Sequence, residues 1–211
     1  MDSIEVERRL ALEKSIESMS EEENSFKYLP QPQRHEDNRL DRLILLKAFK
    51  QVIDPIINHH IHPKDKSPVL EVGCATGFFS RHLAPNWLQK RLISFDINTP
   101  ALQRMKYDGY AGSIVQGSVY NLPFADNSLG AVVGYSSFDS FLFLDQAVSE
   151  VFRVLKTGGK VIWFQDLVTE LYQFEKNPTH EEKLDTVERY HQILVNTVRK
   201  SNFNILEGED V

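Results

Sequence analysis

Cysteine is almost absent from this chain: Cys74 is the single one among 211 residues. That excludes an intrachain disulfide and points to a reducing, cytoplasmic setting. Long apolar runs are absent as well. No segment offers the roughly 20 consecutive apolar residues of a membrane-spanning helix, and the N-terminus is too acidic and polar for a secretory signal. Nor do basic residues prevail. With 24 Lys and Arg against 30 Asp and Glu, the formal charge is -6, which disfavours a broad phosphate-binding surface and makes nucleic acid an unexpected partner. What remains, 41% hydrophobic and 26% charged residues, is the profile of one soluble globular domain plus an arm.

The chain is organised around Val69-Leu70-Glu71-Val72-Gly73-Cys74-Ala75-Thr76-Gly77-Phe78-Phe79-Ser80. A short apolar run ending in an acid and then in spaced glycines reads as a buried strand that turns sharply into a helix. Gly73 and Gly77 let the backbone turn tightly and approach a bound molecule, and the helix would point N–H groups into the same crevice. The third glycine of the dinucleotide fingerprint G-x-G-x-x-G is missing, because Phe78 occupies its place.

A second apolar strand, Arg91 to Asp96, ends in an acid about 20 residues further on, where an α/β nucleotide site places a carboxylate for a ribose diol. Ionised, Asp96 can accept two hydrogen bonds from such a diol. The helix after it is expected to be capped by Thr99, with Pro100 as its first residue. Ser113 to Gly117 and Ala131 to Gly134 give two more strands, and Val161 to Phe164 a fifth.

The glycine stretch resembles motif I of the class I S-adenosylmethionine-dependent methyltransferases, (D/E)-x-G-x-G-x-G. Glu71, Gly73 and Gly77 match, and Ala75 replaces the central glycine. Gly117 to Val133, with Leu122-Pro123-Phe124-Ala125-Asp126-Asn127-Ser128 inside it, resembles that family's G-D-x-x-x-L-P-F-x-D-x-S-F-D-x-V block. Ser118 and Gly130 stand where the family has aspartates. Leu144 to Phe164 resembles the helix, the L-K-P-G-G turn and the strand that follow, with Thr157 for the proline. The glycine pair Gly158-Gly159 is expected to end that helix in a left-handed cap.

The resemblance implies a doubly wound, mainly parallel α/β sheet of the class I methyltransferase type, and a donor site for S-adenosyl-L-methionine and its product S-adenosyl-L-homocysteine. Its lining would be Glu71, Gly73, Cys74, Ala75 and Gly77 from the first loop, Asp96 and Ile97 after the second strand, Ser118 and Val119 beside the adenine, and Gly134 and Tyr135 beside the methionine part and the acceptor. The family's aspartate at position 118 commonly takes a hydrogen bond from the adenine amino group. Ser118 keeps an acceptor there and loses the charge. The implied activity is methyl transfer to a small-molecule acceptor. Two rivals stand beside it: a methyltransferase-like binding or regulatory protein that has lost catalysis, and a nicotinamide-dependent oxidoreductase, which the missing third glycine opposes.

The flanks are expected to form an N-terminal helical arm and cap over 1–66, ahead of a donor-binding domain over 67–211. The arm would contain an amphipathic helix from Asp2 to about Met19, able to serve as a lid or a homodimer contact. A polar linker from Ser20 to Asp37 follows, anchored by Tyr28, and then a helix from Asn38 to Ile57 with Pro55 near its end. His59, His60 and His62 read as a surface loop, with no second cluster to make a metal site. Asp139 and His191 are the candidates for a base. After a long helix from Asn177-Pro178, Asn202 to Glu207 would be a sixth strand. No seventh strand follows to form the family's closing hairpin, as in a shortened variant or a fragment.

Overall fold

The structure is a computed structural model, and it describes residues 46, 47, 49–83, 88, 90–138, 141 and 143–164. The expected helices at Asp2 to Met19 and after Asn177, the linker with Tyr28, the strand at Asn202 to Glu207, and the base candidates Asp139 and His191 lie outside the described residues.

Five strands form one parallel sheet: β1 (Val69–Val72), β2 (Leu92–Asp96), β3 (Ser113–Gln116), β4 (Leu129–Tyr135) and β5 (Leu155–Phe164), in the order β3-β2-β1-β4-β5. The doubly wound parallel fold expected from the sequence is what the chain adopts. The strand order steps outward from β1 to β3, then resumes on β1's other side with β4. The carboxyl ends of β1 and β4 therefore part around a crevice, the place where open α/β sheets bind ligands.

Both faces of the sheet are apolar, as a parallel sheet covered on both sides requires. Alternation along each strand sends Val69, Leu92, Ala131, Val133 and Ile162 to one face. There they pack on Phe79 and Leu83 of α2 (Phe78–Leu83) and on Phe49, Ile53 and Ile57 of the preceding segment. Leu70, Val72, Phe95 and Val132 go to the other face, beneath Ala147, Val151 and Val154 of α4 (Leu144–Val154). The helix between β2 and β3, α3 (Thr99–Tyr107), lays Leu102 and Met105 against Cys74 and Ile114.

Four local expectations are corrected. Phe49–Ile53 is a π-helical turn, and the α-helix that follows, α1, runs Asp54–His60, so Pro55 lies in its first turn and not near its end. Ile53, just before α1, is itself in the right-handed helical region, so the π-turn runs directly into α1 and is the local widening beside a proline that lacks an N–H. His59 and His60 consequently close α1 and are not part of a loop. In α3 the cap is Asn98, whose Oδ1 accepts from Ala101 N at 3.1 Å, and Thr99 is already helical. An amide oxygen on the extended residue before the helix reaches the third N–H, which a hydroxyl one residue later does not. Finally, α4 ends at Val154 on an extended Leu155, and Gly158 and Gly159 sit inside β5. They form an irregularity where pairing jumps from Leu129–Leu155 to Ala131–Lys160, with Gly158 at φ +77. Glycine supplies the left-handed residue of a strand bulge here and not a helix cap.

Candidate functional site

The loop between β1 and α2 takes its shape from three consecutive odd positions in the left-handed region: Gly73 (φ +75), Ala75 (φ +46) and Gly77 (φ +86). A Cβ at Gly73 would lie 2.3 Å from Ser137 Cβ, and one at Gly77 would lie 2.5 Å from Met105 Cε. The glycines thus admit the β4 loop and α3 to close range. Ser137 completes the approach by donating its hydroxyl to Val72 O at 2.8 Å.

Four N–H groups of this loop are engaged inside the protein. Gly73 N and Cys74 N both donate to Phe95 O, Gly77 N donates to Cys74 O, and Ala75 N donates to Asp96 Oδ2 at 2.7 Å. A pyrophosphate cradle needs such amides pointing outward at the ligand. With these four amides engaged within the protein, the loop weighs against the dinucleotide reading alongside the missing third glycine.

Asp96 stands at the carboxyl end of β2, 9% exposed. Its Oδ1 accepts Asn98 N at 2.8 Å and its Oδ2 accepts Ala75 N. A carboxylate has about four acceptor sites, so two backbone bonds fix it and leave capacity for a diol. Burial raises its pKa, and the amides of Asn98 and Ala75 work against that shift. Ile97, next along, is 49% exposed, an apolar side chain left open at the same edge.

Glu71 is placed differently from a lining residue. It shares a face with Ser94 and Asp96, and its carboxyl turns inward under α2, 1% exposed. Oε2 accepts the Ser80 hydroxyl at 2.5 Å and the Ser94 hydroxyl at 3.4 Å. Ser94 Oγ in turn lies 3.0 Å from Ser80 Oγ and 3.1 Å from the Tyr110 hydroxyl. Loss of solvation pushes the Glu71 carboxyl up to about 7, against the lowering effect of the two hydroxyls and with a push from the Asp96 charge. Cys74 is buried too, and its thiol is raised well above the usual range by the same loss of water.

Beyond β3, Ser118 keeps its hydroxyl in a local turn, accepting Tyr120 N at 3.3 Å, while Ser118 O accepts Asn121 N. Val119 is buried against the second core. At the end of β4, a Cβ on Gly134 would meet Phe138 at 2.7 Å, so its smallness serves packing. Tyr135 is half-buried among rings: Phe49 edge-on at 4.8 Å, Phe79 at 5.6 Å, with Phe164 of β5 6.2 Å from Phe79. Ser136 follows at φ +45, a second non-glycine residue held left-handed at this edge.

The structure therefore brings Gly73, Ala75, Gly77, Asp96, Ile97, Gly134 and Tyr135 to one edge of the sheet, with Ser118 and Val119 in the loop leaving β3. It turns Glu71 and Cys74 inward. Sequence reading passed over Ser80, Ser94 and Ser137, all three buried. Ser94 was the legible one, a lone hydroxyl in the apolar strand Leu92-Ile93-Ser94-Phe95, where a buried polar group demands a partner.

Residues 70–163 match the methyltransferase domain family. Over 157 residues the chain is 27% identical to a sterol 24-C-methyltransferase of Yarrowia lipolytica, covering 68% of this chain and 41% of that protein. Over 97 residues it is 31% identical to a fatty-acid O-methyltransferase of Mycolicibacterium smegmatis, covering 45% of this chain and 35% of that one. The chain thus spans less than half the length of these curated relatives. A crystal structure from Methanococcus maripaludis, ascribed to an S-adenosylmethionine-dependent methyltransferase, superposes with a TM-score of 0.53 at 20% identity, over 82% of this chain and 89% of that one.

Proposed function

We propose, on the premise that the chain carries a class I S-adenosylmethionine-dependent methyltransferase domain, that it binds S-adenosyl-L-methionine at the carboxyl edge of β1, β2 and β4 and methylates a small-molecule acceptor. The observation that carries this reading is the pairing of a glycine loop, four of whose amides are engaged within the protein, with a carboxylate fixed beside it. A donor with a ribose diol and no phosphate suits that pair.

Asp96 would hold the ribose hydroxyls, Ile97 and Val119 would flank the adenine with Ser118 at its edge, and Gly73, Ala75, Gly134 and Tyr135 would border the methionine part. The donor brings an activated methyl group on a sulfonium, so the protein's work is alignment and exclusion of water. Phe78, Tyr135 and Phe164, partly buried around the core residue Phe49, make that edge aromatic, which favours an apolar acceptor. The sterol and fatty-acid relatives act on acceptors of that kind, and extending this to the present chain belongs to the proposal. So do the division into an arm over 1–66 and a donor domain over 67–211, a homodimer through that arm, the exclusion of nucleic acid and a cytoplasmic site of action. No helix among the described residues is long and apolar enough to cross a membrane.

Calorimetric titration of the folded protein with S-adenosylmethionine, S-adenosylhomocysteine and NADH tests the reading. Saturable binding of the first two and none of NADH is the expected result. Absence of all three from a folded sample would sink it and favour a methyltransferase-like protein without catalysis, the reading that Ser118 in place of an acid motivates.

A further inference from the structure

Arg153, near the end of α4, has every donor of its guanidinium placed. Nε donates to Glu150 Oε1 at 2.8 Å, and one terminal nitrogen donates to Glu150 Oε2 at 2.8 Å and to Leu122 O at 2.9 Å. The other donates to Phe124 O and to Asp126 Oδ1, both at 2.8 Å. Glu150 Oε2 also accepts Leu122 N at 2.8 Å, so the pair holds Leu122 by both its backbone groups. Arg153 O and Val154 O then take Asn127 N and Ser128 N. These two side chains, one helical turn apart, hold Leu122, Phe124 and Asp126, and the backbone at the end of α4 holds Asn127 and Ser128.

The near half of the same loop is fixed to the candidate ribose site: Gly117 N donates to Asp96 O at 3.0 Å. Between the two anchors lie Ser118 and Val119. Val119 and Leu122 are buried with Phe95, the residue before Asp96, and the Phe124 ring lies 6.2 Å from the Phe95 ring. The surroundings show no other ion pair on this loop among the described residues.

We infer that Glu150 and Arg153 are positioning residues for the adenine-side wall of the donor site, setting the height of Ser118 and Val119 relative to Asp96 through the loop they clamp. The inference rests on the donor site proposed above. Neither residue touches the donor. The requirement is for a planar fork with five donors, which a lysine ammonium, with three donors on a flexible stem, does not reproduce. The bond from Arg153 holds the Glu150 carboxyl below its usual pKa, so the clamp keeps its charges throughout the neutral range.

The test compares binding of S-adenosylhomocysteine with that of S-inosylhomocysteine, in which an oxo group replaces the adenine amino group, for the full chain and for Arg153→Lys, Arg153→Met and Glu150→Gln. A simple brace changes stability and leaves the ratio of the two affinities untouched. A clamp that places the adenine wall changes the ratio. The wild type is expected to prefer the adenine compound, and Arg153→Lys and Arg153→Met to shrink that preference by about tenfold, the scale of one charged hydrogen bond lost. Glu150→Gln, which keeps an acceptor for Leu122 N, is expected to shrink it by about threefold and to serve if Arg153→Met fails to fold. Lower thermal stability with an unchanged ratio in Arg153→Lys and Glu150→Gln would overturn the inference alone. A wild type that binds without preferring adenine would overturn it too, and a wild type that binds neither compound would remove the donor-site reading and this inference with it.

Discussion

Ala75 is held at φ +46 between two glycines that share its left-handed conformation. An L residue with a Cβ costs about 1–2 kcal/mol there, and glycine gives back part of that gain as extra freedom of the unfolded chain. Ala75→Gly is therefore expected to stabilise the protein by about 0.5–1 kcal/mol, read from urea unfolding. A loss of stability would mean that the Ala75 methyl packs against something worth more than its strain. Asp96 tests the opposite case, a residue whose native bonds and proposed ligand bonds coincide. Asp96→Ala is expected to weaken S-adenosylhomocysteine binding by about 1.5–3 kcal/mol, the range for hydrogen bonds to a charged group. Since the same change releases the amides of Ala75 and Asn98, the affinity is to be compared only on a sample whose circular dichroism matches the wild type. Unchanged affinity in such a sample would end the ribose assignment.

At the scale of elements, the sequence was legible wherever a strand met a turn and less so inside the turns themselves. Val69–Val72 and Leu92–Asp96 are where the apolar runs put them, because a strand buried on both faces reads as a short continuous apolar run. The helix ends were misplaced, since capping depends on where a short polar side chain points, and Asn98 and Thr99 are both competent caps on paper. The structure settles this with the bond from Ala101 N to Asn98 Oδ1. Asn98→Ala is thus expected to cost about 1 kcal/mol of stability and Thr99→Ala much less, a contrast measurable by chemical denaturation. Equal costs would return the cap to Thr99. The glycine pair in β5 misled for a related reason: a left-handed glycine ends helices and makes bulges alike, and only the pairing of Leu129 with Leu155 tells which.

Over the whole molecule, the doubly wound parallel sheet was legible because three blocks resembling one family fall at successive strand ends, whereas the strand order is read from the structure. The inward turn of Glu71 was not legible, because it depends on the parity shared by Glu71, Ser94 and Asp96 across two strands and on Ser80 arriving from α2. That arrangement makes global stability depend on pH. Unfolded, the Glu71 carboxyl loses its proton near the usual 4.5; folded, it keeps the proton until about 7. Between those values the folded state binds more protons, so this group's contribution is complete below pH 4.5 and fades as pH rises through 7. Glu71→Gln removes the titration while keeping an acceptor for the Ser80 hydroxyl. From pH 5 to pH 8 the stability of Glu71→Gln relative to wild type is expected to rise by about 2–3 kcal/mol, followed by denaturant melts at each pH. The comparison with the variant is what isolates Glu71, because Asp96 is also raised by burial while Glu150 is lowered by Arg153, and both remain in the two proteins. A flat difference across that range would place the Glu71 charge in the folded core at neutral pH, compensated by groups other than the hydroxyls of Ser80 and Ser94.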